Sequence, residues 1–565
     1  MTSTPRRAVS RRTFIGGSVG AAGLALAGPG WLRGPRAAGA RRQEIEGGGT
    51  LTYGLGFDVD GTLDPGVTHF DSTIRVTLNI CEPLVWMPTA TEIVPGLAES
   101  WQVSADGLEY TFTLKQGVTF HDGTPFNAEA VQFTFDRVVE ADKMAAAGAT
   151  GTPDPTQVIV AGQAHDQVGT YDHSEIVDEH TIKMVLSRPF SPFLTGLNGY
   201  LGIVSPTAVR TMGLAEFARV PVGTGPYRFK EWVEADHITI ERNPDYNWGS
   251  SFFQHAGPAY FDEIVYKVIP DAAVRTGTLI SGETQYIDER DPLQEVDLEG
   301  DEALEVIRQG QPGSGWVLLV NHKRPERAVA DHTVRQALEY AIDKDAFNQA
   351  VFAGTNEPAA SPLMKVTFGY DPATETVYSY DKARAESLLE EAGWVLNGDI
   401  REKDGEPLEL YFPIIDRPRD NAMATFIQGA FREVGIDLVV DPMERGAYTQ
   451  TWREENNYDF SFMWFSYADP DVLRTIFYSK NIGAFNRAQY SVPEVDTMLE
   501  DAAASSDPAV RTDLYSKIQM RVLEDAVVIP LADSITYNAK QTRLQGEVLD
   551  FLASYVWMND AHFAE

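Results

Sequence analysis

The groups best able to do chemistry in this 565-residue chain are carboxylates, arginines and a few hydroxyls, and their spacing decides between covalent work and binding. Gly16, Ser18 and Gly20 fit the G-x-S-x-G pattern of a nucleophilic serine, which needs a strand-to-helix elbow to present its hydroxyl. They lie within an uncharged Gly/Ala/Leu stretch that follows Arg11 and Arg12, so they read as part of an export leader. A catalytic serine there would be lost on cleavage. No G-x-x-x-x-G-K-[ST], H-E-x-x-H or C-x-x-C run occurs. His121 has no His, Cys or Glu at metal-ligand spacing and reads as a hydrogen-bonded structural histidine. Neither a metal nor a cofactor is expected. Glu390-Glu391 falls on an exposed helix face, where solvated charge is the ordinary explanation. A carboxylate-based secreted hydrolase stays open as an alternative, because such pairs meet only in the fold.

Binding is the more direct reading of the remaining groups. Leu408–Ile415 is expected to be a buried strand, Asn421–Val434 a helix ended by Gly435, and Ile436–Val440 the next strand. That is a βαβ unit, and ligands of such sheets bind beyond the carboxyl ends of the strands. Arg417 falls at this edge. A guanidinium beside helix-terminal amides can seat a carboxylate, whereas the rival reading is a surface arginine paired to Asp416 or Asp420. The sequence leaves both open. A second strand edge comes at Tyr458–Phe465, with the exit loop Ser466–Asp471. Trp464, Phe465 and Tyr467 offer aromatic contact area to a ligand; Phe460 and Phe462 are assigned to the core, Ser466 and Tyr467 to the cleft.

The elements that must hold these groups are those of a mixed α/β protein. Thr50–Leu55 and Tyr110–Leu114 alternate like strands, with a hairpin turn at Asp106-Gly107. One helix is expected from an N-cap at Thr333 and another from Asp381 to a stop at Gly393. Residues 145–170 are rich in Gly, Ala, Thr and Pro and read as a surface loop. The net charge of −36 opposes association with nucleic acid or an anionic membrane. Ala38-Gly39-Ala40 supplies a small-x-small cleavage site, and a cut after Ala40 removes six arginines and takes the charge to −42. No cysteine lies near that site to carry a lipid, and the single Cys81 excludes an internal disulfide. The length suggests three or four domains, each with its own core.

GVTFHDGTPFNAEAV at Gly117–Val131 and VPVGTGPYRFKEW at Val220–Trp232 stand in the order found in the peptide-type solute-binding proteins of ABC importers. CEPLV at Cys81–Val85, LAESWQVSADGLEYTFTLK at Leu97–Lys115, VRQALEYAIDKDAF at Val334–Phe347 and AGW at Ala392–Trp394 extend the match. The chain thus resembles that family over nearly all its length after the leader. The resemblance implies a two-lobed periplasmic-binding-protein fold with an additional small domain: a first lobe of 50–93, 222–311 and 536–565, an insertion of 94–221, and a second lobe of 312–535. It further implies a monomeric, extracytoplasmic protein that hands a peptide or other small solute to a membrane permease, and it leaves receptor-docking or chaperone-like use of the same scaffold open. Arg417 matches the position where dipeptide-binding relatives hold the ligand carboxylate, but Ser466 stands where they place an aspartate for the α-ammonium. An ammonium buried without a partner costs roughly 3–5 kcal/mol. Free peptides are therefore expected to bind poorly unless Asp469, Asp471 or an acid of the opposite lobe substitutes. Asn321, ending the strand Trp316–Val320, is placed near the interlobe crossing as a further candidate contact.

Overall fold

The alternating run Thr50–Leu55 forms a strand inside a seven-stranded sheet, parallel to Glu263–Val268 on one side and to Tyr286–Ile287 on the other. His237–Arg242 and Tyr227–Val233 extend one side antiparallel, and Asn538–Gln541 and Leu304–Ile307 extend the other. One sheet thus gathers strands from distant parts of the chain. The computed structural model describes residues 47–564 apart from 60, 68–70, 90–91, 147–167, 199–200, 289–291, 294–297, 299 and 454. The expected leader with its G-x-S-x-G run and cleavage site, and most of the loop expected at 145–170, lie outside these residues. Among the described residues no helix is long and apolar enough to cross a membrane.

A four-stranded antiparallel sheet follows in the order Ala98–Val103, Glu109–Leu114, Thr181–Leu186, Tyr171–Asp178. Its first hairpin turns where expected. Gly107 has φ +70°, and the Asp106 carboxylate accepts from Ser104 Oγ at 2.6 Å and Leu108 N at 3.1 Å. Phe112, Leu114, Ile182 and Met184 share one apolar core with Tyr227, Ile240 and Ile264 of the large sheet. The four-stranded sheet and the large sheet share this core, because Phe135 and Val138 of the helix Ala128–Ala146 belong to the same apolar cluster as both. The same helix brings Arg137 to Asp64 in a two-pronged ion pair of 2.8 and 2.6 Å, with both side chains 1% exposed.

The second lobe is built on an antiparallel sheet ordered Phe460–Ser466, Gly313–Val320, Val528–Ala532. Its middle strand is buried on both faces, with Leu318 and Val320 packed near Phe412 and Phe460, and Val317 and Leu319 near Met463 and Leu473. Beside it lies the expected parallel pair, Glu409–Ile415 and Asp437–Met443, connected through the helix Pro418–Glu433. The helix starts earlier than periodicity suggests because Pro418 occupies its first turn. It ends at Gly435, φ +86°. Asp331, not Thr333, caps the helix His332–Ala341, since its carboxylate accepts from Thr333 N at 2.9 Å. Asp381 caps Lys382–Glu391 as expected.

The chain passes between the two large sheets twice, through 308–312 and 533–537, and these segments pair with each other. Gln311 N donates to Ser534 O at 3.0 Å and Thr536 N to Gln309 O at 2.9 Å. His121 is structural: its Nε2 donates to Gly225 O at 3.0 Å, and burial pushes its pKa down to about 4. A Cβ on Gly223 or Gly225 would strike the carbonyl oxygens of Ile80 and Asn79, so both glycines serve close backbone approach.

Breaking the Asp64–Arg137 pair from one side leaves an uncompensated charge in the core. Arg137→Met is expected to lower unfolding free energy by roughly 3–5 kcal/mol, and Asp64→Asn added to it to restore part of the loss. Chemical denaturation of the single and double variants checks this, and equal losses in both would contradict it.

Candidate functional site

A cavity of about 590 Å³ opens between the lobes, beyond the carboxyl ends of Thr50–Leu55, Glu409–Ile415 and Phe460–Ser466. That volume suits a small organic ligand. The first-lobe wall brings Asp71 and Arg75 from the helix Asp71–Thr77, Arg275 from the helix Ala272–Ser281, and Tyr555. The opposite wall brings Trp316, the run Arg417–Asp420, and Trp464–Tyr467. Among the described lining residues four guanidiniums thus meet two carboxylates, in a protein whose net charge is −36.

Two of the arginines are already answered by the fold. Arg75 donates to Asp288 Oδ2 at 2.8 Å and to Ser554 O at 2.9 Å, and Arg275 donates to the carbonyls of Asp288 and Ile269 at 2.8 and 2.5 Å. Arg419 lies over the rings of Trp316 and Tyr537, 5.7 and 5.8 Å from their centroids. Arg417 differs. It is half-buried in the cavity wall, and no carboxylate among the described residues lies within ion-pair distance. Asp416, one of its two possible partners by sequence, accepts from Asn421 Nδ2 at 2.8 Å instead. Asp420, the other, has its carboxyl pushed up to about 6 by burial, against the opposing pull of Arg417 and Arg419.

The aromatic part of the wall is a stack. Trp316 and Trp464 lie 5.8 Å apart with planes 15° from parallel, and Trp464 Nε1 is buried without an acceptor. A buried indole N–H left without an acceptor forfeits a hydrogen bond, so a ligand oxygen here gains a ready donor. Ser466 donates to Leu552 O at 3.2 Å and accepts from Ser554 Oγ at 3.3 Å, while Tyr467 N donates to Pro312 O at 3.0 Å. Phe460 and Phe462 pack in the core.

The structure therefore gathers Arg417, Trp464, Ser466 and Tyr467 at one cavity and leaves Asp469 and Asn321 elsewhere. Asp469 is 4% exposed, accepts from Arg511 Nη2 at 2.5 Å and from Asp471 N at 2.9 Å, and has no reach to a ligand. Asp471 is held equally firmly, by Arg474 at 2.7 Å. Neither can stand in for an ammonium anchor at Ser466. Asn321 is fully buried at the far end of the strand Gly313–Val320 from Trp316, donating to Asn456 Oδ1 at 3.0 Å and Tyr458 O at 3.1 Å. Its polar groups terminate a strand. The residues that sequence reading missed are Trp316, Arg419, Arg75, Arg275, Asp71 and Tyr555. Only Arg419 had a signal, as a second arginine in the same strand-to-helix turn.

Residues 92–485 match the family described as bacterial extracellular solute-binding proteins, family 5 Middle. The dipeptide-binding protein of Escherichia coli (strain K12) is 27% identical over 486 residues, which is 83% of this chain and 86% of that protein. Among solved structures, the ABC transporter-associated periplasmic binding protein DppA from Helicobacter pylori, in complex with peptide STSA, is similar with TM-score 0.74 and 26% identity, covering 91% of this chain and 99% of that one. NikA from Brucella suis, in complex with Fe(III)-EDTA, is similar with TM-score 0.77 and 25% identity, covering 91% and 100%. With its two α/β lobes and a cavity between them, this chain belongs to the bacterial extracellular solute-binding proteins of family 5.

Proposed function

We propose that this protein is the extracytoplasmic substrate-binding component of an ABC importer, and that its solute is a small organic anion without a free ammonium group. Arg417 carries the reading. A half-buried guanidinium with no carboxylate of a described residue within ion-pair distance, placed at the start of a helix, attracts a carboxylate or similar group from the ligand. The similar proteins hold ligands as different as a peptide and an iron chelate of carboxylates, so the scaffold itself does not fix the solute. Here the acids of the Asp469-Pro470-Asp471 loop are consumed by internal ion pairs, and Asp71, the opposite-lobe acid in the cavity wall, faces Arg75 at 3.8 Å, which together support the exclusion of free peptides.

In this reading the protein binds and releases its solute unchanged, acts as a monomer and delivers to a membrane permease. The reading keeps the division expected from sequence, with 94–221 inserted in the first lobe, and has the leader direct export by the twin-arginine route before cleavage after Ala40. Closure brings the two walls together by bending at the paired segments 308–312 and 533–537. Ligand contact with both walls favours that state.

Two outcomes test the reading. Arg417→Ala is expected to weaken an anionic ligand by roughly 1.5–3 kcal/mol and to leave a neutral ligand little changed, as measured by calorimetric titration; equal losses for both would contradict it. The second concerns pH. Because burial raises Asp420 to about 6, its carboxylate is charged above that value and neutral below it. A donor-free probe such as hexanesulfonate is therefore expected to bind ~3-fold or more tightly at about pH 5 than at about pH 7.5, the effect of removing ~0.7 kcal/mol of repulsion at ~6 Å. Asp420→Asn should flatten the profile. A profile of the same slope in both proteins would assign the effect to another group.

A further inference from the structure

Asp420 is a second charged group of the cavity left without an answer. It stands three residues after Arg417, in the first turn of the helix Pro418–Glu433, and lines the cavity with it. Its side chain is partly withdrawn from water, yet no hydrogen bond or ion pair from a described residue reaches its carboxylate. Carboxylates removed from water are ordinarily met by donors, and one that is not makes the site receptive to a donor from outside. Burial has already pushed this carboxyl up to about 6, the direction expected of a group short of donors.

For the non-peptide anion proposed above, the missing donor is a hydroxyl or an ammonium. The surroundings choose between them. Arg417 and Arg419 both act on Asp420 as neighbouring positive charges, so an ammonium brought to it would meet two guanidiniums, whereas a hydroxyl brings a hydrogen without a charge. Arg417 and Asp420 are also separated by only one helical turn, which asks the ligand to carry its donor a few atoms from its anionic group. The stacked pair Trp316 and Trp464 supplies a flat apolar surface beside them, and the unpartnered Nε1 of Trp464 adds a donor for a further ligand oxygen.

We infer that Asp420 is a specificity-determining residue that accepts a hydroxyl hydrogen from the ligand beside the carboxylate held by Arg417, so that the solute is a hydroxylated carboxylate of the sugar-acid class. The inference rests on the anionic-solute reading, and it adds a requirement that reading does not make.

The test uses three probes of equal chain length, D-gluconate, hexanoate and D-glucosaminate, titrated calorimetrically into the full-length protein freed of leader, its Asp420→Asn and Asp420→Leu variants, and Arg417→Ala. Gluconate is expected to bind at least about tenfold more tightly than either hexanoate or glucosaminate. Asp420→Leu should erase the advantage over hexanoate while hexanoate itself still binds; Asp420→Asn, whose amide oxygen still accepts, should keep part of it. Thermal unfolding of the unliganded variants checks that each remains folded. Equal binding of gluconate and hexanoate to the parent protein would overturn the role of Asp420 and leave the anion reading standing. Preference for glucosaminate would overturn the choice of hydroxyl over ammonium. Binding of none of the acids would overturn both the inference and the anion reading.

Discussion

Arg417 keeps a positive charge half out of water with no carboxylate of the described chain within ion-pair distance, and the rest of the site is arranged around that condition. The strand Glu409–Ile415 delivers it to the sheet edge, Pro418 starts the helix directly after it, and the helix dipole adds positive potential at the same place. The nearest candidate partner in sequence, Asp416, is turned away to Asn421. Several other buried charges are paired directly. Asp64 with Arg137, Asp469 with Arg511, and Asp288 with Arg75 are all matched within 3 Å. Arg417 and Asp420, in the cavity wall, have no such partner among the described residues.

The position of the cavity follows from the topology. Two sheets that cannot share strands are joined by two short crossing segments, and those segments pair with each other through backbone hydrogen bonds. Bending at a few residues can then move one wall against the other while both cores stay packed. Ser466, Gln311, Ser534 and Ser554 form a chain of neutral hydrogen bonds across the crossing, Gln311 Nε2 donating to Ser554 Oγ at 3.1 Å and Ser534 Oγ to Gln311 Oε1 at 2.7 Å. Arg75, donating to Ser554 O at 2.9 Å, joins this chain to the charged part of the first-lobe wall.

What could be read from sequence was what is local. The hairpin at Asp106-Gly107, the caps at Asp381 and Gly393, and the parallel unit around Pro418–Glu433 all follow from short-range patterns, and Arg417 was visible because it sits at the end of one. The first-lobe wall was not visible, because Arg75, Arg275 and Tyr555 reach the cavity only after strands from opposite ends of the chain have paired. Asp469 shows the same limit at one residue: its loop leaves a cavity-lining strand, but Arg511, far along the chain, turns the carboxylate inward. Asn321 failed for a simpler reason. A buried strand reads alike from either end, and only the pairing of Gly313 with Ser466 shows which end faces the cavity.

The most direct test of an anion drawing two lobes together is small-angle X-ray scattering on the parent protein and Arg417→Ala, each without D-gluconate and with it at a concentration that saturates the parent but, after a loss of roughly 1.5–3 kcal/mol, leaves the variant largely unliganded. A cavity closed by an anion at Arg417 gives a smaller radius of gyration for the liganded parent and no change for the variant. An unchanged parent profile, or the same contraction in both proteins, would contradict it.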